Sequence, residues 1–241
     1  MKFPKSPYLV FGFYRQDMLP LILVSELLKR LASKGVRAVN GQGTGYEDVG
    51  FGELTHALQW LDSLDPDTAV EVELAVRGGG AQLLGNHVPS HGITKNPEST
   101  PVVHLFMSGA TFSGNVSSSA EAEGLSAFNR FIWLCTEVCP TYASITVEWE
   151  LESPQELIQD PQSYGFQDFY LGADLGMSVL ERSESIFEGA FVRRLEAGIY
   201  ISSHKWFNPK RIQIHESEKR SCEIGRLLAS HFRSAQFGIG S

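Results

Sequence analysis

Residues 118–151 read Ser-Ser-Ala-Glu-Ala-Glu-Gly-Leu-Ser-Ala-Phe-Asn-Arg-Phe-Ile-Trp-Leu-Cys-Thr-Glu-Val-Cys-Pro-Thr-Tyr-Ala-Ser-Ile-Thr-Val-Glu-Trp-Glu-Leu. The spacing predicts one long helix, a turn at Pro140 and one strand. Ser118 with Glu121 three residues on has the form of a capping box. Phe128, Phe131, Ile132, Cys135 and Val138 recur at helical spacing and form the apolar face. Cys139-Pro140 ends the helix, because proline disfavours helical geometry in the residue before it. The strand then alternates, with Ile145, Val147, Trp149 and Leu151 on one face and Ser144, Thr146, Glu148 and Glu150 on the other. Burying each large side chain is worth roughly 1.5–3 kcal/mol, so the remaining elements are expected to pack around this pair.

Upstream, Tyr8 to Tyr14 is apolar and aromatic and reads as a central strand. Asp17 is placed to cap a helix running to Lys34, with Leu19, Leu23, Leu27, Leu28 and Leu31 as its stripe and Gly35 as its stop. Val36 to Asn40 is a short strand, followed by a glycine-rich loop from Gly41 to Gly45. Phe51 to Leu64 is an amphipathic helix. Thr68 to Arg77 alternates as a half-buried strand, with Glu71 and Glu73 outward. Further strands are expected near Gln82 to Leu84 and at Val102 to Met107, with polar loops at 85–100 and 108–117.

Downstream, Ser153-Pro154 opens a short helix, and Phe166 to Leu171 is a strand. Residues 174–195 are ambiguous, with helix favoured. Gly198 to Ser202 and Arg211 to His215 read as strands, and Ser217 to Phe232 as a final helix. The expected fold is α/β or α+β: a mixed sheet of six to eight strands with helices packed on it. It is read as a single domain over 1–241. The order strand, helix, strand recurs in outline, so halves 1–100 and 101–241 stand as an open alternative within that domain.

The totals narrow the function classes. The chain has 241 residues, 42% hydrophobic and 20% charged, which supports a packed core. Its formal net charge of -8 argues against a nucleic-acid partner, which needs clustered Lys and Arg. No apolar run reaches the ~18 residues of a membrane helix, and the N-terminus lacks the apolar region of a signal peptide. Three cysteines, an odd count, fit a reduced, cytoplasmic setting.

Each motif weighs less than its structural alternative. Gly41-Gln-Gly43-Thr-Gly45 follows a strand, as phosphate-cradling loops do, but no helix starts at once and no Gly-Lys-Ser/Thr follows. His87 and His91, with His104 further on, are too few and too broken by Pro89 to make a zinc site. Cys135 and Cys139 share a helix face and read as core residues. No cofactor and no metal is expected. Glu148 and Glu150 form an acidic row, either solvated or offered to a basic partner. His204, Trp206 and Asn208 lie in a loop whose aromatic tip is either a binding hot spot or folded back on the core.

In size, acidity and α+β pattern the chain resembles the bacterial immunity proteins that neutralise polymorphic or type VI secreted toxins. The residues carrying the resemblance are Tyr142 to Leu151 followed by Ser-Pro, Asp168-Phe-Tyr, and Gly198-Ile-Tyr-Ile with Trp206-Phe-Asn-Pro. They cover roughly the C-terminal half. The resemblance implies a cytoplasmic, non-catalytic protein that masks a toxin's active site, and it transfers no catalytic residue. The expected function is therefore direct binding of a protein partner, such as a basic toxin domain, through Glu148, Glu150, His204, Trp206 and Asn208. No nucleic-acid or membrane partner is expected. The alternative is a small-molecule hydrolase or transferase using the Gly41–Gly45 loop with His204 or the Glu148/Glu150 pair.

Overall fold

The computed structural model describes residues 7–76, 79–86, 101–108, 118–203 and 206–236. The chain divides into two compact units. One is Met1–Val116 with Thr146–Leu151, the other Ser117–Ile145 with Glu152–Ser241.

The first unit holds strands β1 (Tyr8–Tyr14), β2 (Arg37–Gly43), β3 (Val49–Gly50), β4 (Val70–Val76), β5 (Gly79–Gly85) and β6 (Val103–Ser108), with helices α1 (Pro20–Ser33) and α2 (Leu54–Asp62). The strand order is β3-β2-β4-β5-β6-β1, and every neighbouring pair is antiparallel. Register sets Phe11, Leu105, Leu83 and Val72 side by side on one face, all buried. Helices α1 and α2 cover that face. Leu23, Leu27, Leu28 and Leu31 are buried as the helical spacing requires, and Gly35, at φ +82°, ends α1. On the opposite face Val10, Leu84 and Phe106 form a buried cluster with Tyr8 packed against it.

One expectation fails here. Asp17 does not cap α1, since the cap position is Leu19, which is 52% exposed. The Asp17 carboxylate instead pairs with Arg15 at 2.8 Å. Glu71 and Glu73 alternate with the buried residues of β4 as expected, and both are half-buried and hydrogen-bonded. Gln82 Nε2 donates to Glu71 at 2.6 Å and Asn40 Nδ2 to Glu73 at 2.8 Å.

The second unit holds α3 (Ser118–Val138), most of β7 (Tyr142–Val147), α4 (Pro154–Gln159), β8 (Asp168–Gly172), α5 (Met177–Ile186), β9 (Phe191–Leu195), β10 (Gly198–Ser202) and α6 (Ser217–Gln236). Its strands run β7-β8-β10-β9, again all antiparallel. Helix α3 lies on one face, with the rings of Phe128 and Phe131 at 5.2 and 6.0 Å from Tyr200. The other face packs on α5 and α6, through Phe169 on Phe187 just past the end of α5 and through Tyr142 on Phe232. A capping box of Ser153 and Glu156 starts α4.

Among the described residues there are ten strands rather than six to eight, and the pairing within each unit is antiparallel rather than mixed. The unexpected strands are β3 and β9. Residues 174–195 hold the end of a 3₁₀ turn, α5 and β9, with Gly176 and Gly189 between them at φ +88° and +86°. Conversely, Arg211 to His215 is no strand. Arg211 takes φ +51°, and the Asn208 side chain brackets Ile212, accepting from its N–H and donating to its carbonyl, both at 3.0 Å.

Candidate functional site

The predicted strand over Ser144 to Leu151 ends at Val147 and gives way to a turn built by hydrogen bonds. Glu148 adopts φ +59°, a left-handed geometry that stops strand pairing. Its N–H donates to Tyr8 O at 2.9 Å, and Thr146 Oγ1 donates to Trp149 O at 2.6 Å. Two residues on, the Leu151 N–H donates to Nε2 of the buried His104 at 2.9 Å. Leu151 then packs over Gly12, where an added Cβ would lie 2.4 Å from Leu151 Cβ. The alternation therefore breaks. Leu151 is buried as expected, but Trp149, expected beside it, is 54% exposed.

The turn thus presents an indole between two carboxylates. Glu148 is exposed and Glu150 half-buried. The Tyr8 hydroxyl feels both: its pKa is raised, first by burial and then by Glu150 and Glu148. The result is a compact acidic and aromatic surface on a backbone held at 148, 149 and 151.

In the second unit the segment after β10 is clamped from below. Asp168 is 3% exposed and accepts hydrogen bonds from the hydroxyls of Ser202 and Tyr200. Tyr200 also reaches Phe207 O at 3.0 Å, and burial, with Asp168 next, pushes its pKa well up, so it stays a donor. Asn208 Nδ2 donates to Ser202 Oγ at 3.2 Å. From α3, Gly124 lets Trp206 come close, since a Cβ there would sit 2.2 Å from Trp206 O. Glu121, about one turn earlier, pairs with Arg211 at 2.9 Å.

The five sequence-predicted contact residues fall out differently. Glu148 and Glu150 lie on the turn of the first unit. Trp206 is half-buried in the second. Asn208 is 3% exposed and its amide shapes the 206–212 segment. His204 lies outside the described residues, as do His87 and His91. Of the residues that position these surfaces, His104 reads in the sequence only as a metal-ligand candidate, Asp168 only as the start of the Asp-Phe-Tyr triplet and Ser202 only as a strand residue.

The glycine-rich loop is a correction. Gly41 and Gly43 are residues of β2, and a Cβ on Gly41 would lie 2.5 Å from Phe51 Cζ and 2.6 Å from Trp60 Cζ3. These glycines admit aromatic rings rather than a phosphate. Of the two helical cysteines, Cys135 is fully buried and its thiol pKa is pushed up by burial, while Cys139 is exposed at φ +44° just past the helix end. Among the described residues, no cluster of His, Cys, Asp or Glu is placed to hold a metal ion. No helix among them is long and apolar enough to cross a membrane.

Among solved structures, the chain is similar to the Pseudomonas aeruginosa T6SS protein PA0821, with a TM-score of 0.43 and 10% identity over 92% of this chain and 72% of that one. A likeness of this size assigns neither fold nor function. No family model matches the chain, and no curated protein matches it.

Proposed function

We propose that this chain is a non-catalytic, cytoplasmic binding protein of the immunity type, which neutralises a cognate toxin by direct contact with a basic surface. The observation that carries this reading is Trp149. Trp149 is 54% exposed, against 41% for Tyr46, and leaves apolar surface in water unless something covers it. Its backbone is already fixed by three hydrogen bonds. Ordering it on binding therefore costs little, which is the condition for a hot spot. Glu148 and Glu150 beside it supply charge complementarity to lysine and arginine. Trp206 offers a second, more buried aromatic contact on the other unit.

The test is co-expression with the product of an adjacent toxin-like reading frame. The wild-type chain is expected to restore growth and to co-purify in a stoichiometric complex. Trp149→Ala combined with Glu148→Gln and Glu150→Gln is expected to lose both while remaining folded. Full protection by that triple variant would remove the reading.

A further inference from the structure

Helices α5 and α6 flank a half-open surface groove of about 310 Å³ that neither the fold nor the proposed function uses. It is lined by Arg182 and Ile186 from α5 and by Glu223, Arg226, Leu227 and Ser230 from α6. The spacing is helical on both sides, one turn on α5 and i, i+3, i+4, i+7 on α6, so each helix turns one face to the groove. Its volume is at the lower end of small-ligand sites, which run from roughly 300 Å³.

The groove holds two arginines and one glutamate, and two other arginines nearby are already paired. Arg220, one turn before Glu223, donates from Nη1 to Glu188 O at 2.9 Å just beyond the end of α5. Arg194 pairs with Glu184 of α5 at 2.6 Å. Arg182 and Arg226, by contrast, have no hydrogen-bond or ion-pair partner among the described residues, although Glu223 stands three residues from Arg226 on one helix. Arg182, Glu223, Arg226 and Ser230 are exposed at its rim, and Ile186 and Leu227 are half-buried and give the groove an apolar floor.

We propose that this groove binds a small monocarboxylate with an apolar body and a hydrogen-bond donor at its far end. Two guanidinium groups from facing helices match the planar carboxylate, whose oxygens accept paired N–H bonds from them. Ser230 adds a hydroxyl donor. Ile186 and Leu227 contact the apolar body. Glu223 accepts from the distal donor and, by its charge, disfavours ligands with a second negative group. The site is independent of the Trp149 surface.

Backbone amide shifts of the full chain, titrated with 4-hydroxybenzoate, 4-hydroxybenzamide, benzoate and inorganic phosphate, test this. 4-Hydroxybenzoate is expected to shift the amides of Ile186, Leu227 and Ser230 saturably. The neutral amide is expected to bind at least about tenfold more weakly, as is the Arg182→Gln/Arg226→Gln variant with the acid, in line with loss of charge-assisted hydrogen bonds. The spectrum of that variant itself reports its fold. Glu223→Ala is expected to erase the preference for 4-hydroxybenzoate over benzoate. Absence of saturable shifts, equal binding of the neutral amide or of phosphate, or binding unchanged by the double arginine variant overturns the proposal.

Discussion

The Leu151 amide donates to His104 Nε2 at 2.9 Å across 47 residues of sequence, with both residues buried. The bond requires an unprotonated Nε2 and so places the neutral ring's proton on Nδ1. It also pins the far end of the turn that exposes Trp149. His104→Phe keeps an aromatic ring in place but leaves the Leu151 N–H without its acceptor. A loss of about 1–3 kcal/mol in urea unfolding is expected, with faster amide exchange at Glu148 to Leu151. His104→Gln, which retains an acceptor, is expected to recover part of both.

The glycines of β2 make a second test. Gly41→Ala places a Cβ against Phe51 and Trp60, within 2.5–2.6 Å of their rings. Displacing two rings in a packed face costs roughly 1–3 kcal/mol, measurable as a lower thermal midpoint. Inorganic phosphate is expected to leave that midpoint unchanged in the wild-type chain, because these glycines face aromatic rings.

Asp168 anchors the segment that carries Trp206. Asp168→Ala removes the acceptor for Ser202 and one of two acceptors for Tyr200, which keeps Phe207 O; both hydroxyls sit in fully buried side chains. A loss of about 2–4 kcal/mol is expected in denaturant unfolding. Asp168→Asn retains one acceptor oxygen and is expected to lose less. Equal losses in the two variants would show that the carboxylate charge itself, not hydrogen-bond geometry, holds the segment.

His231 gives the fold a pH dependence. Burial lowers its pKa from 6.5, with Asp174 acting in the opposite direction. A base with a lowered folded pKa binds fewer protons folded than unfolded, so its contribution is complete above the unfolded value and is lost as pH falls through the folded one. The urea midpoint is therefore expected to drop as pH falls below about 6.5. His231→Gln is expected to flatten that slope.

Much of the fold is legible in local pattern. The strand β1 and the helix α3 follow from an apolar run and a 3.6-residue stripe, because both are buried by continuous faces. The errors sit where long-range contacts override that pattern. Alternation through Trp149 predicts a strand, but a hydrogen bond from Glu148 to Tyr8 and one from Leu151 to His104 bend the chain first. Gly41 and Gly43 look like a loop until two rings distant in sequence need their space. Strand β9 carries two adjacent arginines and is an edge, so its sequence lacks the apolar alternation of a covered strand. The proposed contact surface is half legible. Glu148 and Glu150 stand out as neighbours, whereas the exposure of Trp149 depends on the turn.

The turn at Glu148 to Glu150 is proposed as a preformed contact surface for a basic protein partner. The direct measurement is calorimetric titration of the chain, and of Trp149→Ala, with the purified product of an adjacent toxin-like reading frame. A one-to-one complex is expected, weakened by added salt, with Trp149→Ala costing at least about 2 kcal/mol, or some thirtyfold in affinity. Equal affinity of the wild-type chain and Trp149→Ala would contradict the account.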